Sequence, residues 1–246
     1  MNIKKQLIAC LLVTASALSF NAANAMPIDL QLVIQPIQVC NNDGSNCSNS
    51  GLELFEAVGD KIWSQAGIDL HFLSFQTLNS TALNTLNMDT EFGGAAPGNV
   101  IRLLFVDTIT DCGGPGGGIF GCGYIDANGL AVADNVFAFN GGIGRLDTIA
   151  HELGHNLGLG HNNFGAGGAL NLMTSGAVRT IPGSINDVTP DGAGTDQLTA
   201  QQIAEARSSS LLQRFVAVPI PGTLVLFAIG LMGLATQHMR RVNSAR

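Results

Sequence analysis

The sequence predicts an α+β domain: five strands in a sheet, a helix packed behind them, and a second helix that carries the polar chemistry. Three observations point there. Aliphatic segments of strand length occur at 29–39, 68–76 and 99–109. Residues 51–66 repeat apolar side chains at helical spacing. The run HELGHNLGLGH at 151–161 sets two histidines four apart, which puts them on one face of a helix.

In chain order, DLQLVIQPIQV (29–39) has the aliphatic content of a first strand, and Pro36 marks it as an edge or bulge because it has no N–H to donate. Leu52, Phe55, Val58, Ile62 and Trp63 form the stripe of the amphipathic helix 51–66, which Gly67 ends. IDLHFLSFQ alternates as a second strand, and Asn99 to Ile109, with VIRLLFV at its centre, reads as a buried third. Two short strands follow at 119–126 and 129–134, then a helix from about Gly144 to Leu157. From His161 to about Leu212 the chain is glycine-rich coil closing in a helix. Thr199 and Gln202 have capping-box spacing there, and Ile203, Ala206 and Leu211 form the apolar stripe.

The chemistry lies in residues 151–161. His151 and His155 share a helix face and hold one zinc ion through their imidazoles, and Glu152 sits where its carboxylate reaches a metal-bound water. Gly158 permits a sharp change of direction, and His161 returns after it as a third ligand. Three neutral imidazoles and a water make an open site, the arrangement of catalytic zinc.

The pattern HExxHxxGxxH resembles the metzincin zinc endopeptidases, of the matrixin or pappalysin kind. NLMTSG supplies the methionine turn of that clan, with Met173 twelve residues after His161 as a hydrophobic floor and not a ligand. The resemblance implies a twisted, mixed five-stranded sheet with a backing helix. It also implies an active-site helix beneath the sheet and a small irregular C-terminal lobe ending in a helix. The strand beside the cleft, placed around Gly121–Asp126, is then antiparallel to its neighbour and lends backbone groups to an extended peptide. Thr174 to Arg179 line the pocket for the residue after the cleaved bond. Ser175 stands where some metzincins carry a metal-reaching tyrosine, so no fifth protein ligand is expected. The implied mechanism is attack of a zinc-activated water on the scissile carbonyl, with Glu152 as general acid/base. Asp187, Asp191 and Asp196 form a candidate calcium set, as in some relatives, although their spacing matches no EF-hand. His71 and His238 are expected not to bind metal. The loop 111–123 is a flap at the cleft mouth or a plain surface loop.

Both ends stand apart from this domain. Residues 1–25 carry Lys4 and Lys5, an apolar stretch from Leu7 to Phe20, and a small-x-small site at Ala23-Asn24-Ala25, the form of a secretory signal peptide. The catalytic domain is then 26–217. At 218–246 a Pro-x-Pro motif precedes an uncharged stretch at about 220–239, long enough to span a ~30 Å hydrocarbon core, and then Arg240, Arg241 and Arg246. This tail resembles the PEP-CTERM sorting signals of Gram-negative bacteria, with Ile220 where the usual glutamate stands. The resemblance implies an exosortase-type processing enzyme as a partner. It also implies transient or retained anchoring in the inner membrane through the C-terminal helix, and a surface or extracellular destination. The first strand begins soon after the cleavage site, and there is no cysteine-switch motif, so no inhibitory prodomain is expected.

Between 26 and 218 the chain keeps six basic and eighteen acidic residues, a formal charge of −12 that argues against nucleic acid as a partner. Cys40, Cys47, Cys112 and Cys122 are four cysteines in an exported domain, hence two disulfides, and proximity favours Cys40–Cys47 and Cys112–Cys122. The expected function is an exported zinc endopeptidase acting on protein or peptide. The alternative is a non-enzymatic matrix or adhesion protein with structural zinc. A zinc hydrolase of sugars is disfavoured by one Trp and one Tyr in the whole chain.

Overall fold

The computed structural model describes residues 26–87, 90–92, 99–113 and 118–215. The expected signal peptide and sorting tail lie outside them. Among the described residues no helix is long and apolar enough to cross a membrane.

The chain opens with β1 (Leu30–Cys40), a 3₁₀ turn at Leu52–Leu54 and α1 (Glu56–Ser64). Then come β2 (Ile68–Phe72), β3 (Gln76–Asn79), α2 (Thr81–Asn84), β4 (Thr85–Leu86), β5 (Val100–Val106) and β6 (Thr108–Ile109). β7 (Gly121–Gly123), β8 (Leu130–Ala133), α3 (Asn135–Gly142) and α4 (Thr148–Asn156) lead into the glycine-rich segment. α5 (Ala200–Ser208) and β9 (Gln213–Arg214) close the described chain. The main sheet runs β2-β1-β5-β8-β7, with β3 and β9 also paired to β1, and β4 pairs with β6 in a separate ribbon. The strands of the main path are parallel except β7, which is antiparallel to β8 at the edge.

Pro36 is not at an edge. β1 lies inside the sheet, with Pro36 opposite Leu103 of β5. On the other side β2 pairs with residues 30–34 and β3 with 37–40. Pro36 falls in the gap between those two registers, where its missing N–H breaks no ladder. The Gln35 side chain fills the gap by donating to the Ser74 carbonyl at 2.7 Å. The single second strand expected at 68–76 is therefore two, and the 51–66 helix begins as a 3₁₀ turn.

β5 and β8 are buried on both faces, which is why they read as unbroken apolar runs. Leu103, Phe105, Leu130 and Val132 join one core with α1, α4 and Met173, while Leu104, Val106, Ala131 and Ala133 face a second with Leu86 and Phe92. Trp63, fully buried, bonds α1 to α4 by donating from Nε1 to the Ala150 carbonyl at 3.3 Å. Disulfides join Cys40–Cys47 and Cys112–Cys122, as proximity suggests. α3 has no counterpart in the sequence reading. Its backbone leaves helical geometry at Phe139–Gly141, so no continuous stripe marks it.

Candidate metal centre and cleft

Every residue of α4 is buried. Ile149, Ala150 and Leu153 enter the core behind it, so the 3.6 period turns His151, Glu152 and His155 the other way. The helix ends in a Schellman motif: Leu159 N–H donates to the Gly154 carbonyl and Gly158 N–H to the His155 carbonyl, each at 2.9 Å. Gly158 makes this turn at φ +90°, a conformation strained for any side chain. The turn returns exposed His161 to the helix. Ligand atoms of His151, His155 and His161 lie within 4.8 Å of one another, with 3.0 Å between the Nε2 atoms of His151 and His161.

The chemistry of the three donors fits a divalent cation. Nδ1 of His151 meets the Leu172 carbonyl and Nδ1 of His155 the Leu159 carbonyl, each at 2.7 Å. A carbonyl only accepts, so Nδ1 of His155 carries the hydrogen and its Nε2 keeps its lone pair for a metal. Burial holds all three imidazoles below their ordinary pKa, His155 at about 4 and His151 well below its usual range, and the Arg179 guanidinium acts in the same direction. All three are held in the neutral form that a metal ion could use.

Glu152 is buried beside them, facing the edge strand. Burial pushes its carboxyl up to about 8, against the pull of Arg179 and Arg145. A divalent cation close by would favour its ionised form. Beneath the helix, Met173 is fully buried, and Gly154 admits it: a Cβ there would overlap its Sδ and stand 3.0 Å from its Cε. That is the floor the resemblance implies.

Several residues hold this arrangement in roles that the sequence did not assign to them. Arg179 pairs with the wholly buried Asp147, Nη2 to Oδ2, at 2.6 Å, while its Nη1 meets the Leu172 carbonyl and Nδ1 of His151. Asp196 is buried on the same cluster, its carboxyl pushed up to about 7 by burial and by Asp147. Asn156 donates to the carbonyls of Tyr124, Ala127 and Gly129 at 2.8–3.0 Å, clasping the β7–β8 loop to α4. This clasp, with Asp126 at φ +53°, shortens the expected 119–126 strand to Gly121–Gly123. No local pattern announces contacts that reach across dozens of residues.

The three aspartates of the candidate calcium set do not meet. Asp187 caps its own turn, accepting from Gly183 and Ser184, Asp191 pairs with Lys61 at 2.6 Å, and Asp196 faces Asp147. Among the described residues the histidine trio forms a cluster able to hold a metal ion, and His71 is exposed on β2 apart from it. Two cavities reach His151, Glu152 and His161, and the first also reaches His155. One, of about 420 Å³, runs along Gly121, Gly123 and Ile125. The other, of about 660 Å³, runs between Gly118–Gly121 and Ser175–Ala177.

A mixed sheet with an antiparallel edge strand, a buried helix below it and three histidines on one point have the form of a metzincin-type zinc peptidase. The chain belongs to the reprolysin-like M12B family of metallopeptidases, whose pattern matches residues 13–162, more than half its length and the whole of the histidine motif. Comparison with curated proteins finds no match. Among solved structures, the archaemetzincin AmzA of Archaeoglobus fulgidus, crystallised with malonate, is similar over 70% of this chain and 99% of its own, with 14% identity and a TM-score of 0.40.

Proposed function

We propose that this metallopeptidase is an exported zinc-dependent endopeptidase, with His151, His155 and His161 holding the ion and Glu152 acting as general acid/base. The observation that carries the reading is the convergence of three imidazoles beside a buried carboxyl under an open edge strand. Zinc bound there supplies Lewis acidity toward a water and toward the substrate carbonyl. The chain does the rest. Glu152 takes a proton from the attacking water on its carboxylate and hands it to the departing nitrogen. The unpaired side of β7 receives an extended peptide by strand addition. Gly121 and Gly123 carry no side chain that would hold the peptide off the helix.

Export rests on the signal-like residues 1–25, and processing by an exosortase-type enzyme on the tail at 218–246, with membrane anchoring before processing. Acidity makes protein or peptide, and not nucleic acid, the partner.

The test is cleavage of a diverse peptide mixture by the purified full-length chain beside Glu152→Ala, read by mass spectrometry, with zinc content measured in both. Cleavage by the parent alone, with both metallated, is the expected result. Two inert, metallated proteins would sink the endopeptidase reading and favour a matrix or adhesion protein with structural zinc.

A further inference from the structure

We infer that Arg145 makes the larger cavity a carboxylate pocket, so that the enzyme selects substrates with an acidic side chain next to the cleaved bond. This inference rests on the peptidase reading and adds a substrate class to it.

The cavity of about 660 Å³ shares His151, Glu152 and His161 with the centre and continues past them to Arg145 and Arg179. A peptide whose carbonyl lies at the histidines therefore sends a neighbouring side chain into it. Only six basic residues stand between 26 and 218, and two of them line this one cavity. Their charges are not equally answered. Arg179 is matched by Asp147 at 2.6 Å. Arg145 has only Nε near Asp147, at 3.6 Å, beyond hydrogen-bond reach, and that Nε is buried without a hydrogen-bond partner. Among the described residues nothing accepts a hydrogen bond from its Nη1 or Nη2. Asp147 is fully buried, lines neither cavity and is engaged by Arg179, and the carboxyl that lines the cavity with Arg145 is Glu152.

The guanidinium is also held in place. Its Cζ lies 5.1 Å from the Phe120 ring centroid and 6.0 Å from that of Phe139, two rings packed edge to face. Its far end rests on Gly176, where a Cβ would stand 2.9 Å from Nη1 and 3.1 Å from Cζ, so a bare backbone leaves it room in the cavity wall. A side chain only 13% exposed, fixed by stacking and with its terminal donors unused, is a preorganised fork for a carboxylate. An amide of the same shape accepts with one oxygen and leaves the desolvated charge unmatched.

Paired peptides that differ only by Glu or Gln, placed at either residue flanking the bond, test this on the zinc-loaded full-length protein. The expected result is kcat/KM at least about tenfold higher for Glu at one of the two positions. Arg145→Gln brings that ratio to about one, and Arg145→Lys keeps a reduced preference as a point charge. Binding of the same peptides to Glu152→Ala, followed by fluorescence anisotropy, reads the preference without turnover. A parent that cuts Glu and Gln peptides equally overturns the pocket and leaves the peptidase reading standing. A protein that cuts neither but still binds the Glu peptide about tenfold tighter overturns the peptidase reading and keeps the pocket. Equal binding without cleavage overturns both.

Discussion

Gly121 lies so close to Glu152 that a Cβ on Gly121 would stand 2.7 Å from Oε1 and 2.8 Å from Cγ of the glutamate. The edge strand thus forms one wall of the carboxyl's position. In Gly121→Ala the flexible carboxylate end gives way first. The proposed mechanism then expects kcat/KM to fall by at least about tenfold with zinc content unchanged, since a misplaced general base costs rate and not metal. Gly123→Ala acts differently, because its Cβ would meet the Glu152 backbone carbonyl at 2.7 Å, and a helix backbone yields less easily. There the loss is of stability, about 1–3 kcal/mol by urea unfolding. Full activity in Gly121→Ala would remove the wall from the account.

Gly154 and Met173 form a second coupled pair. A methyl group at 154 overlaps the thioether beneath the helix, so Gly154→Ala is expected to destabilise by about 1–3 kcal/mol although alanine favours helices. Met173→Ala leaves a cavity and costs about 2–5 kcal/mol. The double variant should lose less than the sum, by about 1 kcal/mol, because the new methyl enters the new space. Strict additivity in a double-mutant cycle would show that the two residues do not press on each other.

Much of the candidate centre is legible because the histidines that converge there are local. An i, i+4 histidine pair needs only a helix to meet, Gly158 needs only its own φ, and Met173 follows within one loop. The two disulfides close short loops and were readable from proximity. The double burial of β5 showed as an unbroken aliphatic run. Pro36 marks a bulge and not an edge: from Ile34 to Ile37 the partner side runs one residue longer, from Phe72 to Gln76, as β2 gives way to β3. The roles of the residues that hold the centre were hidden. Asp147, Arg179 and Asp196 are charges that find one another only after the chain has folded around α4, and Asn156 looks like any variable residue of the motif.

Arg179 and Asp147 are both almost wholly buried, with 1% and 0% of their side chains exposed. Arg179→Gln strands a carboxylate in the interior, at an expected cost of about 3–5 kcal/mol, while the double variant with Asp147→Asn should recover a substantial part. Arg179 also meets the Leu172 carbonyl that fixes His151, so the single variant should weaken zinc binding by roughly 10–100-fold in chelator competition. Unchanged zinc affinity at reduced stability would confine the pair to a structural role.

On α1, Asp60 should set a pH dependence of stability. Burial, aided by the nearby Asp69 and Glu56 charges, pushes its carboxyl up to about 6, against the hydrogen bond it accepts from Leu70 N–H at 3.0 Å. Between the ordinary value of 3.8 and about 6 the folded protein keeps a proton that the unfolded chain releases, so stability falls as pH rises through that window. The amide introduced by Asp60→Asn cannot ionise and keeps an oxygen for Leu70. Because Asp60 is only half-buried, solvent screening reduces the effect, and the variant should gain about 1 kcal/mol at pH 7 and almost nothing below pH 4. Urea unfolding of both proteins across that range measures the difference. An equal gain at both ends would mean that the carboxylate's charge is not its source.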